Sequence, residues 1–269
     1  MHDWIDRRRL LAFAGAAAVS PALGQETGSA HLHAMMAPDP TAPKVAMLVY
    51  PRMVALDLIG PMTVFTIMRW NLQLIWKERT PVSTDVGVPI AANATFAEAY
   101  SDPDILFVPG GLLGTIACMQ DPEVVDFVAA LGARAKWVTS DCTGSLILGA
   151  AGLLRGYDAT SHWGVADLLP LLGARHVAKR VVRDRNRLTA GGATAGIDFG
   201  LVLVSELAGE EASRRDQLIL EYAPAPPFRN GTPDEAGPER MADIRKGRVW
   251  MDEQARLAVE VARRRLAPG

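Results

Sequence analysis

Cys142 is the side chain in this sequence best placed for covalent chemistry. It falls between Lys136-Trp-Val-Thr-Ser140, which reads as a strand, and Thr143–Leu154, an apolar, Ala-rich run ending at Gly156 that reads as a buried helix. A residue at such a turn lies at the C-terminal edge of a parallel sheet, where ligands of open α/β sheets bind. Thr143, Gly144 and Ser145 can present backbone N–H groups at the helix start, where the helix dipole favours an anion. A thiolate held there is expected to have a lowered pKa and to act as a nucleophile, the turn serving as a nucleophile elbow. The competing reading is a small buried apolar residue.

Other reactive types are sparse. Cys118, in Thr115-Ile-Ala-Cys-Met119, has no strand leading into it and reads as structural. Two cysteines are too few for a disulfide scaffold or a cysteine-only metal site. A Cys118–Cys142 disulfide in an oxidising compartment would abolish the nucleophile. His31 and His33 form a pair without a third metal ligand in sight. Gly110 and Gly111 close the run Ile105–Val108 and would let backbone N–H groups approach a substrate, unless they are plain turn residues. Asp141 places an acid beside Cys142, where a negative charge would oppose thiol ionisation. Alternation along the strand should send its side chain to the other face.

The elements that must position these residues alternate between strand and helix. Lys44–Tyr50, Leu72–Trp76, Ile105–Val108 and Lys136–Ser140 read as strands, and Pro81–Ala97 carries strand-and-turn signals. Pro61–Arg69 reads as a helix, as does Asp121–Leu131 with Asp121 as N-cap and Pro122 at the first helical position. Val181–Arg183 and Arg187–Thr189 suggest a hairpin turning at residues 184–186, and Thr194–Ala208 another apolar helix. The order implies an α/β fold, a mostly parallel flavodoxin- or Rossmann-like sheet between helix layers. One domain over residues 43–228 is the simplest division, followed by a polar loop and a charged helical tail over 229–269.

Composition narrows the function classes. The 269 residues are 49% hydrophobic and 22% charged, ordinary for a globular chain, and the net charge of -2 lacks the basic footprint of a nucleic-acid binder. Residues 1–24 read as a cleavable export signal. Arg7-Arg8-Arg9 precedes a short apolar run of the twin-arginine type, too short to span a bilayer, and a linker over 25–42 follows. An exported, periplasmic protein without a stable membrane anchor is expected, or a cytoplasmic one if the N-terminus is no true signal.

Ser140-Asp-Cys-Thr-Gly-Ser-Leu-Ile-Leu-Gly-Ala-Ala-Gly-Leu-Leu154 and Ala159-Thr-Ser-His-Trp163 resemble the ThiJ/PfpI superfamily, which shares the class I glutamine amidotransferase-like fold, and within it the isocyanide hydratase branch. Leu56-Asp-Leu-Ile-Gly-Pro61, Leu74-Ile-Trp-Lys77, Val181-Val-Arg-Asp184, Thr194-Ala-Gly-Ile-Asp-Phe199 and Leu220-Glu-Tyr-Ala-Pro-Ala-Pro-Pro-Phe228 extend the resemblance over almost all of 44–228. The last string is the most specific, since no generic structural need dictates it.

The resemblance implies roles. Cys142 becomes the nucleophile, and Asp57, from a loop after the first strand, would face it as a desolvated proton carrier; the alternative for Asp57 is a helix N-cap. Thr143 would position the thiolate, a water or a developing anion. Gly110, Gly111 and Gly144 would line the substrate site, with His162 in a supporting place rather than as general base. Asp198, Glu221 and Tyr222 are expected to be framework. The implied reaction is hydration of an uncharged isocyanide, such as cyclohexyl isocyanide, to an N-substituted formamide through a Cys142 thioimidate, without cofactor or metal, in a homodimer. Glyoxalase- or deglycase-like chemistry on reactive aldehydes, or a non-catalytic thiol sensor, are the alternatives. Glutamine amidotransfer fits poorly, because no histidine follows His176.

Overall fold

The computed structural model describes residues 37–267. The export signal, the first part of the linker and the His31/His33 pair lie outside the described residues. From Pro38 onward the chain forms one compact unit.

Seven strands build the sheet. Strands β1 (Lys44–Leu48), β2 (Asn71–Trp76), β5 (Ala94–Thr95), β6 (Ile105–Val108), β7 (Trp137–Ser140) and the hairpin β10 (Val181–Asp184) and β11 (Arg187–Ala190) stand in the order β10-β11-β7-β6-β1-β2-β5. All neighbours are parallel except the β10–β11 hairpin at one edge. Two small ladders lie apart, β3 (Val82–Ser83) with β4 (Pro89–Ile90) and β8 (Asp158–Ala159) with β9 (Arg175–His176). Every residue of β6, and Val45–Leu48 of β1, is buried, as strands covered on both faces require.

The helices are α1 (Ala55–Ile67), α2 (Leu112–Gln120), α3 (Pro122–Gly132), α4 (Gly144–Ala150), α5 (Ala195–Ala208), α6 (Glu210–Ile219), α7 (Pro233–Lys246) and α8 (Val249–Leu266). The β1-α1-β2 and β6-α2-α3-β7 crossovers run in opposite directions across the sheet. Right-handed connection therefore puts their helices on opposite faces. Accordingly α1 packs on α5, while α2 packs on α3, α4 and α8.

The expected α/β architecture stands, with local differences. Helix α1 begins at Ala55, six residues before Pro61, because its first N–H is capped from elsewhere: Asp85 Oδ1, on the β3–β4 turn, accepts it at 2.8 Å. Asp57 is thus neither in a loop nor an N-cap but sits in the first helical turn. Helix α4 stops at Ala150 instead of running to Leu154, and Gly152 beyond it takes φ 76°. Residues 39–42 are bonded onto the domain: Asp39 N–H donates to Arg69 O, and Asn71 Nδ2 donates to the Asp39 and Ala42 carbonyls. The tail is two helices, with Gly237 kinking α7 at φ 76°; α8 buries Ala255, Ala258, Val259 and Ala262 against the domain. Among the described residues no helix is long and apolar enough to cross a membrane.

Candidate active site

Chain order reverses between β1 and β6, since β2 leaves one side of β1 and the chain returns to its other side. The C-terminal ends of strands at such a switch point form a crevice. Asp57 follows β1, Gly110 and Gly111 follow β6, and Cys142 follows the adjacent β7, so three consecutive strand ends deliver these residues to one place.

Cys142 occupies a true elbow. Its φ is 52°, a left-handed conformation that disfavours a side chain with a β-carbon. The turn is braced from several sides. The Cys142 N–H donates to Asp141 Oδ1 at 2.8 Å and reaches Ala190 O at 3.1 Å. The Cys142 carbonyl accepts from Ser161 Oγ at 3.1 Å and Ser145 Oγ at 3.3 Å. Strain of this kind persists only where the surroundings over-determine it.

Asp57 faces the thiol. Its side chain is fully buried, Oδ2 accepts the Gly110 N–H at 2.9 Å, and Oδ1 has no hydrogen-bond partner. A β-carbon placed on Gly110 would lie 2.7 Å from both Asp57 Oδ2 and Cys142 Cβ, which shows how closely the two side chains converge. Burial pushes the Asp57 carboxyl up to about 7, against the opposing pull of the Gly110 N–H and a hydrogen bond with Cys142. Burial also pushes the Cys142 thiol well above its usual range, and negative charge at Asp57 and Asp141 adds to this, while the Thr143 N–H pulls the other way.

The lowered thiol pKa expected from the helix start is therefore overturned. Helix α4 has seven residues, and its dipole is outweighed by desolvation of a thiol only 6% exposed. The route left to a thiolate is a proton shift inside the pair: Cys142 as thiolate with Asp57 protonated carries the same net charge as the reverse arrangement.

The remaining expected site residues divide. Thr143 is buried beside the thiol, but its hydroxyl is engaged by the scaffold, accepting the Gly111 N–H at 2.9 Å and pairing with Thr115 Oγ1 at 2.7 Å. Tyr50 extends that chain, 3.3 Å from Thr115 Oγ1, and donates to Pro109 O at 2.7 Å. Since Tyr50 spends its proton on Pro109, Thr115 donates to Tyr50 and Thr143 donates to Thr115. The N–H, not the hydroxyl, is what Thr143 offers the sulfur.

Gly110 and Gly111 do not aim free N–H groups at a substrate. They donate to Asp57 and Thr143, and so hold those two side chains in place instead. Gly144 is a packing glycine: its N–H donates to Asp141 O at 3.0 Å, and a β-carbon would collide with the Val108 and Pro109 carbonyls.

His162 stands aside. It accepts the Gly164 N–H at 3.1 Å, and burial, with Arg248 nearby, pushes its imidazole down to about 4. Both cysteines are free thiols; Cys118 is buried in α2, its thiol pushed up by burial. Asp198 is half-buried and framework in kind, bound by Arg180 Nε at 2.8 Å and Tyr222 Oη at 2.9 Å.

Asp141 departs from expectation: its carboxyl is buried and turned back onto the elbow's own N–H. Alternation along β7 does not carry to it, because the chain has left the strand at Ser140. Sequence reading assigned no role to Tyr50, Thr115, Ser161 and Asp85, whose parts arise only through tertiary contacts. Among the described residues no group of three His, Cys, Asp or Glu side chains could hold a metal ion.

Comparison with known proteins agrees with this geometry. The DJ-1/PfpI family model matches residues 43–206. An isonitrile hydratase of Pseudomonas putida is 46% identical over 204 residues, covering 76% of this chain and 89% of that protein. The Parkinson disease protein 7 homolog of Danio rerio is 29% identical over 149 residues, 53% of this chain and 78% of that protein. Among solved structures, a ThiJ/PfpI family protein from Pseudomonas syringae superposes with a TM-score of 0.77 at 40% identity, covering 91% of this chain and 98% of that one. Strand order, elbow and sequence lead to one assignment: this chain belongs to the DJ-1/PfpI family.

Proposed function

We propose that the protein is an isocyanide hydratase, adding water to an isocyanide to give an N-substituted formamide, with Cys142 as nucleophile and Asp57 as proton carrier. The observation that carries this reading is the buried Cys142–Asp57 pair, with the Asp57 carboxyl held near pH 7. The similarity to an isonitrile hydratase supports the substrate class.

The pair shares one proton. In the competent form Asp57 holds it and Cys142 is a thiolate. The sulfur attacks the terminal carbon of R–N≡C, and the Asp57 proton goes to that carbon, giving the thioimidate R–N=CH–S–Cys142. Asp57, now a carboxylate, takes a proton from water as the hydroxide adds to the same carbon. That proton passes on to nitrogen. Collapse breaks the C–S bond, the hydroxyl proton returns to Asp57, and the formamide R–NH–CHO leaves with thiolate and acid restored. A nucleophile backed by a matched proton carrier needs no other ionisable group.

Turnover of cyclohexyl isocyanide by the full chain, compared with Cys142→Ala and Asp57→Asn, tests the scheme. The parent is expected to turn over, with kcat/KM lower by about 10³-fold or more in the first variant and about 10²-fold or more in the second. Equal, slow turnover by all three would rule it out. Saturable consumption of methylglyoxal without isocyanide turnover would select aldehyde chemistry instead. We propose export as well, supported by the twin-arginine pattern at Arg7-Arg8-Arg9.

A further inference from the structure

Asp141 plays no part in the hydration scheme, yet it is as deeply buried as Asp57. Its Oδ1 accepts the Cys142 N–H at 2.8 Å. Its Oδ2 is buried without any partner and lies against the first turn of α5, where a β-carbon on Gly196 would come within 2.6 Å of it. The same glycine packs on Pro61 of α1, so the carboxyl sits where the elbow, α5 and the Asp57-bearing helix meet. The residue it holds is the strained one, Cys142 at φ 52°. A left-handed conformation at a residue with a β-carbon costs about 1–2 kcal/mol and needs something to hold it.

We infer that Asp141 is a positioning residue: its Oδ1 clamps the Cys142 N–H and so keeps the elbow in the left-handed conformation that turns the thiol toward Asp57. The clamp works uncharged. A buried carboxylate with one oxygen unpartnered bears a heavy desolvation cost, which protonation removes.

The charged groups around it agree. Asp57 of α1 and Asp198 of α5 repel a charge at Asp141, and Arg180, which attracts one, is already paired with Asp198. Burial first, then Asp57, push the Asp141 carboxyl well above its usual range. A protonated Asp141 leaves the Cys142–Asp57 pair with a single negative charge to share, whereas an ionised one would drive the thiol still higher. Asn would serve as well as a protonated acid in this place; an apolar residue would not.

The inference rests on Cys142 as the reacting group, but its test does not require isocyanide turnover. Alkylation of Cys142 by iodoacetamide, located by peptide mass and followed against pH, is compared in the parent, Asp141→Asn and Asp141→Leu. Asn keeps the acceptor and lacks the charge, so its midpoint is expected within about half a pH unit of the parent's. Leu removes the acceptor. Its midpoint is expected to leave the parent's by about one pH unit or more, with kcat falling about tenfold and KM little changed where an isocyanide is turned over.

An Asn midpoint lower by about one unit or more would show a charged Asp141 in the parent and overturn the inference. A Leu variant that overlays the parent would overturn the clamp itself. If the Leu variant does not fold, the Asn comparison decides alone. The expected alkylation pattern in a parent inert toward isocyanides would uphold the clamp while removing the proposed reaction.

Discussion

Cys142 and Asp57 hold one proton between them that burial makes costly to lose, and that fixes the pH behaviour. Below about 7 both groups are protonated and the thiol is a poor nucleophile. As pH rises through that value the pair loses one proton, and the thiolate form with Asp57 protonated becomes available. Turnover and alkylation are therefore expected to rise through pH about 7. In Asp57→Asn that limb should move upward, because the thiol must then ionise without a partner. An unmoved limb would separate Asp57 from the thiol. His162→Gln should keep the limb in place and change kcat/KM less than about tenfold, since the imidazole titrates near 4.

The same burial carries a stability cost. A carboxyl raised to about 7 when folded binds more protons than the unfolded chain between its ordinary value and 7, so stability falls as pH rises across that window. Asp57→Asn should accordingly raise Tm at pH 8, by an amount on the order of a few kcal/mol in stability, and less at pH 5. Thermal melts at the two pH values read this directly, and a variant less stable than the parent at pH 8 would contradict it.

Among the elements, the turn after β6 shows most clearly how backbone geometry serves the site. Gly110 brings one strand end against two others, with a hypothetical β-carbon 2.5 Å from Thr143 N and 2.7 Å from Asp57 Oδ2. Gly110→Ala is thus expected to separate the pair, lowering kcat/KM about 10²-fold or more and destabilising the fold by about 1–3 kcal/mol. Gly231→Ala is the matched control, with its nearest contact 3.9 Å away, and should change stability by less than about 0.5 kcal/mol. Similar losses in the two variants would show that close packing at Gly110 is not what the site needs. Helix α1 illustrates the same dependence, since the cap that sets its start, and hence where Asp57 points, comes from Asp85 thirty residues downstream.

On the scale of the whole molecule, the C-terminal helix belongs with the site although it contributes nothing to it directly. Helix α8 packs on α2, and α2 carries Thr115, whose hydroxyl holds Thr143. Val259 is fully buried on the face that α8 turns to the domain. Val259→Ala should lower stability by about 1–3 kcal/mol in a single cooperative transition, with Tm falling by several degrees. A separate early transition for the tail, seen by calorimetry or by exchange of α8 amides alone, would mean that it folds independently of the sheet.

The strand-helix alternation, the β10–β11 hairpin, the Asp121 cap and the position of Cys142 after β7 were legible because each depends on neighbours in the chain: apolar runs, turn residues and caps act over a few positions. Family resemblance then singled out Asp57 and Thr143. The electrostatics of the site were not legible. A helix start promised a lowered thiol pKa, but desolvation decides the sign, with the facing Asp57 adding to it, and both come from segments far from Cys142 in the sequence. The same holds for Gly110 and Gly111, whose N–H groups meet protein acceptors, and for Asp141, whose direction is set by α5 and the elbow. Sequence determined which elements form and in what order, since that is local chemistry. Tertiary structure alone decided which charges are buried together, because burial belongs to the packed whole.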